Sequence, residues 1–227
     1  MHKYAIIVAG GKGERMGSDT PKQFLELAGK PILMHTIEKF NSTFPTIEII
    51  LALPENQIDF WKELCVLHTF NPSSHQLVCG GKTRFHSVKN ALALVKQESI
   101  VAIHDGVRPL VSSETIIKSF NEAELKGNAI PSIGVIESLR HVSKQDDSNK
   151  AVARSCYQLI QTPQCFTSAL ILKAYQQEFD ESFTDDASVV EALGEKINLV
   201  EGNKENIKIT SPIDLKITEA LFRVQFT

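Results

Sequence analysis

Long apolar runs, paired cysteines and an excess of positive charge are all missing from this sequence. No apolar stretch approaches the roughly 18 residues that a membrane-spanning helix requires. The four cysteines (Cys65, Cys79, Cys156 and Cys165) are scattered, without a C-x-x-C pair or a nearby histidine pattern for zinc. Met1-His2-Lys3 leads directly into an apolar segment and leaves no room for a signal peptide. We therefore expect a cytoplasmic protein with free thiols.

The charge balance argues against a broad nucleic-acid-binding face. There are 24 Lys and Arg residues against 27 Asp and Glu residues, which gives a net charge of −3. A protein that tracks nucleic acid carries a basic surface instead. The 227 residues are enough for one α/β domain with a buried core that needs neither disulfides nor metals. We expect a single domain over residues 1–227, in which basic residues act locally.

Two common glycine motifs are also absent. A Walker loop ends in Gly-Lys-Ser/Thr, and this triplet occurs nowhere in the chain. A dinucleotide fingerprint has glycine or alanine three residues after its second glycine, but counting from Gly11 and Gly13 that position is Met16. A P-loop NTPase is excluded, and a nicotinamide-dependent oxidoreductase is disfavoured.

The sequence does contain a branched apolar run, residues 5–9, that opens directly into four glycines, at positions 10, 11, 13 and 17. This pattern predicts a buried strand followed by a loop. Successive backbone N–H groups in a glycine loop can form a cradle for an anion. Three cations, Lys12, Arg15 and Lys22, lie in or just after this loop. Glycines and cations together indicate a phosphate chain, and three cations suit a triphosphate.

Predicted strands and helices alternate through the first half of the chain. After the first strand, the pattern predicts helices over 31–40, 56–68, 88–95 and 113–126, and strands over 47–53, 76–79, 99–104 and 129–135. This alternation predicts an α/β fold with a doubly wound, mainly parallel sheet. A polar turn at 143–150 separates two segments that can pair, so we expect a projecting β-hairpin arm over about 137–157. The rest predicts strands at 157–166, 197–201 and 207–209, and helices at 167–178, 186–194 and 212–224, the last with Ser211 as N-cap.

In such a sheet, ligands bind beyond the carboxyl ends of the strands. The glycine loop and the segments 80–87, 104–108 and 162–164 each follow a predicted strand, so they can meet at one cleft. Asp105 can hold a divalent cation or orient a lysine, and Arg108 can bind a phosphate or simply pair with Asp105. His104 is typical of a packing residue.

Other candidate residues stay open on sequence alone. Ser87 can cap a helix or touch a nucleotide. The pair Asp185-Asp186 can form an N-cap with an acidic first turn, or serve substrate hydroxyls or metal. Lys208 lies in a short apolar segment, where a lysine either extends to solvent or reaches an anion.

Seven motifs in order over nearly the whole chain resemble the small cytidylyltransferases of the isoprenoid precursor pathway. This family belongs to the glycosyltransferase-A-like nucleotidyltransferase superfamily, which has a Rossmann-like fold. The motifs are Ala9-Gly10-Gly11-Lys12-Gly13-Glu14-Arg15-Met16, Pro21-Lys22-Gln23, Gly80-Gly81-Lys82-Thr83-Arg84, His104-Asp105-Gly106-Val107-Arg108-Pro109, Thr162-Pro163-Gln164, Thr184-Asp185-Asp186-Ala187-Ser188 and Asn206-Ile207-Lys208-Ile209-Thr210.

The resemblance implies a reaction and a role for each matched residue. A methylerythritol phosphate monoester attacks the α-phosphorus of CTP and expels pyrophosphate, with Mg²⁺ on the triphosphate or at Asp105. The implied catalytic residues are Arg15, Lys22 and Lys208. The implied nucleotide-binding residues are Ala9, Gly10, Gly11, Lys12, Gly13, Gly81, Lys82, Ser87, Asp105 and Gly106. The implied residues for the methylerythritol phosphate are Arg108, Ser138, Arg154, Thr184 and Lys208.

The resemblance also implies a homodimer that exchanges arms, so that Arg154 enters the partner's site. Two alternatives remain. The ribitol 5-phosphate cytidylyltransferases of teichoic acid synthesis share the same motifs, although Arg154 and the segment Glu137-Ser138-Leu139-Arg140 favour methylerythritol phosphate. A non-catalytic nucleotide-binding protein is the other alternative, and Arg15, Lys22 and Lys208 argue against it.

Overall fold

The fold is built around the strand that precedes the glycine segment. In the computed structural model, which describes residues 1–11 and 20–225, β1 (His2–Val8) lies between β4 (Glu48–Leu53) and β6 (Ser99–Asp105) and runs parallel to both. β5 (Gln76–Cys79) continues the parallel sheet beyond β4. The carboxyl ends of these four strands therefore lie at one edge of the sheet.

The other half of the sheet is mixed. β11 (Gln164–Thr167) lies antiparallel between β6 and β7 (Asn128–Gly134). β7 also pairs with β10 (Gln158–Ile160) in the antiparallel sense and with β12 (Leu199–Glu201) in the parallel sense. Two small antiparallel pairs stand apart from this sheet. They join β2 (Glu26–Leu27) to β3 (Lys30–Pro31), and β8 (Leu139–Val142) to β9 (Asn149–Val152).

Helices cover both faces of the sheet, because the side chains of a buried strand alternate between its faces. Ala5 and Ile7 of β1 pack in one core layer, and Tyr4 and Ile6 pack in the other. The first layer receives α1 (Ile32–Thr43), α2 (Ile58–Leu67) and α4 (Ser113–Lys126). The second receives α3 (Arg84–Leu92), α5 (Ser168–Ala174) and α6 (Asp186–Glu191). The chain continues to α7 (Pro212–Gln225).

The predicted doubly wound, mainly parallel sheet and projecting arm are thus confirmed. α4 has the predicted bounds, and Gly127 ends it with a φ of 87°, a conformation that glycine adopts without strain. The arm is the β8–β9 hairpin. At Ser211, Asp214 accepts hydrogen bonds from the backbone N–H and the hydroxyl, so the start of α7 is held by its first-turn acid.

Two strand predictions are wrong. The segment 157–166 forms two strands, β10 and β11, separated by residues 161–163. Pro163 has no N–H to donate there, and the side chains of Gln161 and Thr162 bind Asn203 and His104 instead. Residues 207–209 form no strand. Their backbone is held by isolated contacts, such as the N–H of Ile209 donating to the carbonyl of Val107 at 3.0 Å.

The four cysteines are free, as expected. Over the described ranges, the helices are too short or too polar to cross a membrane. The expected cytoplasmic location stays a prediction.

A half-buried histidine supports the packing of Trp61. The indole N–H of Trp61 donates to Nε2 of His75 at 2.9 Å, so the proton of the neutral ring lies on Nδ1. Burial lowers the pKa of His75 to about 4. His104 is buried at the end of β6, and burial lowers its pKa to about 4 as well. Both rings are neutral in the folded protein near neutral pH.

We expect the free energy of unfolding to fall as the pH drops from about 6.5 towards 4. In that window His75 and His104 bind protons in the unfolded chain but not in the folded one, so acid favours unfolding. Urea titrations at several pH values measure the slope. The variant His75→Gln accepts from Trp61 without titrating, so its slope should be shallower. Equal slopes for the variant and the wild type would contradict this role of His75.

Candidate active site

A cavity of about 300 Å³ opens at the carboxyl edge of the parallel strands. Its walls come from the segments that follow β1, β4, β5 and β6. The described residues that line it include Ala9, Gly10, Gly11, Lys22, Gln23, Pro54, Gly80, Gly81, Lys82, Thr83, Arg84, Ser87, Asp105, Val107 and Lys208. A larger cleft of about 680 Å³ lies against α1 and residues 68–74, where the ammonium of Lys30 pairs with Glu38 at 2.7 Å. The smaller cavity is the candidate site, because it gathers the backbone of two glycine turns and several cations.

The start of the glycine segment, directly after β1, is held in place by hydrogen bonds at Ala9. The N–H of Ala9 donates to the carbonyl of Ala52 at 3.1 Å, and the carbonyl of Ala9 accepts from Gln23 at 2.7 Å. Gly10 and Gly11 follow at the surface. The side chain of Lys22 crosses Gly11, because a Cβ on Gly11 would lie 3.3 Å from its Cε. Lys12, Gly13 and Arg15 lie outside the described residues, so their predicted roles stay predictions.

The second glycine turn, residues 80–87, is closed by hydrogen bonds of the Ser87 hydroxyl. The N–H of Gly81 donates to the hydroxyl of Ser87 at 3.0 Å, and that hydroxyl donates to the carbonyl of Thr83 at 3.0 Å. The side chain of Thr83 caps α3 by accepting from the N–H of His86. Ser87 is buried at the cavity wall and fixes the shape of the turn. Lys82 is exposed at the rim of the cavity.

Gly81 cannot carry a side chain in this turn. A Cβ added there would lie 2.3 Å from Cβ of His86. Non-bonded carbon atoms do not approach so closely, so the turn would have to move.

Asp105 is the centre of the charged groups in the site. Its Oδ2 accepts from Nε of Arg108 at 3.0 Å and lies 3.1 Å from Nζ of Lys208. Nε of Arg84 lies 3.9 Å from the other oxygen, Oδ1. Burial alone would raise the pKa of Asp105, but Lys208, Arg84 and Arg108 outweigh burial and hold the pKa well below its usual range. Asp105 is therefore ionised. The sequence left two roles open for it, holding a divalent cation or orienting a lysine, and its contact with Lys208 matches the second.

Asp186 has a structural role. It is fully buried and accepts two hydrogen bonds from Arg84, at 2.8 and 2.6 Å, and one from the hydroxyl of Tyr175 at 2.6 Å. Burial would lower the pKa of Arg84, but Asp186 outweighs it and keeps the guanidinium charged. Asp185 caps α6 and accepts from Gln164 at 2.7 Å. The N-cap alternative for this pair is confirmed.

A neutral histidine supports the turn that carries Asp105 and Arg108. The hydroxyl of Thr162 accepts from the N–H of Asp105 at 3.1 Å, so its single proton is available for Nδ1 of His104 at 3.0 Å. Nε2 of His104 then donates to the carbonyl of Arg108 at 3.1 Å. His104 is thus a packing residue with one tautomer, as the sequence suggested. Arg108 also donates to the carbonyl of Asn206 at 2.8 Å.

Several predicted residues meet at this cavity and others do not. Among the described residues, Ala9, Gly10, Gly11, Lys22, Gly81, Lys82, Ser87, Asp105 and Lys208 line it, and Gly106 and Arg108 lie next to Asp105. Ser138, Arg154 and Thr184 are exposed and are not part of its described wall. Arg154 instead donates to the carbonyl of Ile136 within the arm. The substrate-binding roles of these three residues stay predictions.

Sequence reasoning assigned no role to Arg84 or Gln23, although both line the cavity. Their importance depends on partners far along the chain, namely Asp186 and Asp105 for Arg84, and Ala9 and Gln57 for Gln23. The only sequence signal was their position inside the glycine-turn and Pro-Lys-Gln motifs.

The described acidic side chains do not form a metal centre. Residues 1–11 and 20–225 contain no group of three or more His, Cys, Asp or Glu side chains placed to hold an ion. At Asp105, three cations already surround one carboxylate, and this arrangement repels a further cation. The donor set does not fit a metal ion held by Asp105.

A mainly parallel α/β sheet with a glycine segment, a second glycine turn and a cationic cluster at one edge defines a nucleotidyltransferase. The match to the family model described as IspD, 2-C-methyl-D-erythritol 4-phosphate cytidylyltransferase, spans residues 3–224. The chain belongs to this family.

Individual relatives agree with the family assignment. A 2-C-methyl-D-erythritol 4-phosphate cytidylyltransferase from Bacteroides fragilis is 54% identical, over 97% of this chain and 100% of its own length. The 4-diphosphocytidyl-2C-methyl-D-erythritol synthase from Anaerococcus prevotii superposes with a TM-score of 0.82 at 28% identity, covering 98% of this chain and 96% of its own. The Thermus thermophilus 2-C-methyl-D-erythritol 4-phosphate cytidylyltransferase gives a TM-score of 0.77 at 30% identity, covering 98% and 100%.

We expect Gly81→Ala to weaken the binding of CTP by about tenfold or more, because the added Cβ forces the second glycine turn away from α3. Isothermal titration calorimetry with CTP measures the change. Gly134→Ala is the matched control, since a Cβ at that position meets nothing within 4 Å. Equal dissociation constants for the two variants would show that the turn does not depend on glycine at position 81.

Proposed function

We propose that this protein transfers CMP from CTP to 2-C-methyl-D-erythritol 4-phosphate, producing 4-diphosphocytidyl-2-C-methyl-D-erythritol and pyrophosphate. The observation that carries this proposal is the meeting of two glycine turns with Arg84, Arg108 and Lys208 around one ionised carboxylate at the carboxyl edge of the sheet. Two glycine turns suit a nucleotide, and the cations suit a second anionic substrate beside it. The product places the reaction in the synthesis of isoprenoid precursors.

The chemistry needs positioning and charge stabilisation more than a protein nucleophile. A phosphate oxygen of the acceptor attacks the α-phosphorus of CTP, and the bond to the pyrophosphate oxygen breaks. Negative charge increases on the α-phosphate oxygens during this step. Lys22, whose side chain crosses the glycine segment, stabilises that charge together with Arg15. The glycine N–H groups and Lys12 hold the β- and γ-phosphates.

The two carboxylate oxygens of Asp105 have different roles, because Oδ2 binds protein cations and Oδ1 binds the ligand. Oδ2 is bound by Arg108 and Lys208, while Nε of Arg84 lies 3.9 Å from Oδ1. Oδ1 is therefore the oxygen that accepts a ribose hydroxyl, with Gly106 beside it. Lys208 keeps 42% of its side chain exposed, so its ammonium, which lies 3.1 Å from Oδ2 of Asp105, is accessible to an acceptor phosphate. Mg²⁺ would be carried by the triphosphate of CTP rather than by the described side chains, and it would supply positive charge to the leaving group.

The experiment that tests this function is pyrophosphate release with Mg²⁺ and CTP, offering 2-C-methyl-D-erythritol 4-phosphate and ribitol 5-phosphate in parallel. ATP and GTP in place of CTP are the controls. We expect release only with CTP and methylerythritol phosphate. Release with ribitol phosphate would keep the mechanism and change the acceptor. If folded protein that still binds CTP released no pyrophosphate with any pair of substrates, the result would identify a non-catalytic nucleotide-binding protein.

The working protein is proposed to be a homodimer that exchanges arms. The β8–β9 hairpin pairs only with itself among the described strands, and apolar side chains are exposed both on it and on its flanks. Ile136 is 65% exposed, Val142 62% and Leu159 51%. A second copy of the chain can cover this surface, and it can bring Arg154, which lies outside the described wall of its own cavity, to the partner's acceptor site.

We expect Arg154→Ala and Lys22→Ala subunits to complement each other. Each homodimer lacks one of the two cations at every site, but a mixed dimer has one site with both. Random reassociation of equal amounts should therefore restore about a quarter of the wild-type activity. Co-refolding followed by an activity assay measures this recovery. If both residues acted within one subunit, mixing would restore nothing.

A further inference from the structure

The turn that carries Lys22 has little structure of its own. Lys22–Phe24 is a single 3-10 turn, closed by hydrogen bonds from the N–H of Phe24 to the carbonyl of Pro21 and from the N–H of Leu25 to the carbonyl of Lys22. These bonds shape the turn but do not attach it to the sheet. Its position beside β1 must therefore be set by side chains.

Gln23 attaches this turn to the sheet. It is fully buried, and its Nε2 donates to the carbonyl of Ala9 at 2.7 Å and to Oε1 of Gln57 at 2.6 Å. A backbone carbonyl only accepts, so the amide orientation is fixed by Ala9. Ala9 immediately follows β1 and opens the glycine segment, while Gln57 immediately precedes α2. One amide thus joins two parts of the cavity wall to the segment before α2.

The buried amide leaves one atom unsatisfied. In the part of the chain that the structure describes, Oε1 of Gln23 is buried and has no hydrogen-bond partner. A buried polar atom in this state is unfavourable, so an apolar side chain of the same size would pack better at position 23 if packing were its only role. The two donated hydrogen bonds are the feature that only an amide supplies here.

The bond from Gln23 to Ala9 controls the distance between a cation and the glycine segment. Lys22 directly precedes Gln23, and Gly11 lies two residues after Ala9. The Cε of Lys22 is 3.3 Å from where a Cβ on Gly11 would lie. Losing the bond would let the turn and the segment separate. A shift of about 1 Å at such a contact is enough to lower a rate substantially.

We propose that Gln23 is a positioning residue for Lys22, holding its ammonium over the phosphate-binding glycine segment through the carbonyl of Ala9. This inference rests on the proposed function, because it takes Lys22 to act on the α-phosphate in the transition state. Gln23 itself need not touch the substrate. Its contribution should consequently appear in kcat and should depend on the presence of Lys22.

The test is a double-mutant cycle on the full-length protein with CTP and methylerythritol phosphate. We expect Gln23→Met to lower kcat by about 10- to 100-fold while KM for CTP changes by less than about threefold. Lys22→Ala should lower kcat by about a hundredfold or more. The combined variant should be within about threefold of Lys22→Ala alone, because Gln23 acts only through Lys22.

A matched control uses another buried glutamine. Gln161 is 4% exposed and donates to the carbonyl of Asn203 at 2.9 Å, so it holds a different segment of the chain. If Gln161→Met lowers kcat, the factor should multiply with the factor for Lys22→Ala in the combined variant, because the two residues act independently. Gln57→Met keeps the bond to Ala9 and should lower kcat much less than Gln23→Met. Thermal melts establish that each variant is folded.

Multiplicative losses for Gln23→Met and Lys22→Ala would overturn the proposal, and so would an unchanged kcat in Gln23→Met. Should Gln23→Met not fold, Gln23→Leu replaces it, since a leucine side chain has no N–H to donate to Ala9. A near-normal kcat in Lys22→Ala would instead remove the catalytic role of Lys22 from the proposed function. The two failures are therefore distinguishable.

Discussion

The site depends on one ionised carboxylate. Asp105 ends β6, a strand whose every residue is buried, and its two oxygens face Arg84, Arg108 and Lys208. These cations come from the start of α3, from the turn after β6 and from the segment before α7. Without the carboxylate, three positive charges within a few ångströms would repel one another. With it, three remote parts of the chain are held at one edge of the sheet.

The surrounding polar contacts make such a buried charge possible. A carboxylate in the interior would bind a proton unless cations and hydrogen bonds compensated for the loss of water. Asp186 supplies a second negative charge behind Arg84, so three cations face two carboxylates and the cluster keeps a net positive charge. His104, held neutral by burial, adds hydrogen bonds to the turn without adding charge. The net positive charge suits an anionic ligand.

Much of the fold follows from local sequence signals. β5 has the predicted bounds. α4 ends at Gly127, whose positive φ is the left-handed conformation that favours glycine at the end of a helix. The glycine segment and the segments 80–87 and 104–108 meet at the cavity because the carboxyl ends of parallel strands share an edge, whereas 162–164, which leads into the antiparallel β11, is not part of its described wall. The irregular backbone at 207–209 could not be predicted this way, because its apolar alternation fits a strand and only remote contacts with Val107 and Arg108 decide otherwise. The same limit applies to Arg84 and Asp186, which are 102 positions apart.

The cations of the cluster differ in how firmly they are held, and this difference suits the chemistry. Arg84 is bound through two hydrogen bonds to a fully buried carboxylate, and Arg108 is bound both to Asp105 and to the carbonyl of Asn206. Charges fixed in this way need no reorganisation when negative charge develops nearby. Lys208 has a flexible side chain that is 42% exposed, and its ammonium lies 3.1 Å from Oδ2 of Asp105. It can transfer its ammonium from the carboxylate to an incoming phosphate while the two arginines keep Asp105 paired, so the buried charge is never left alone.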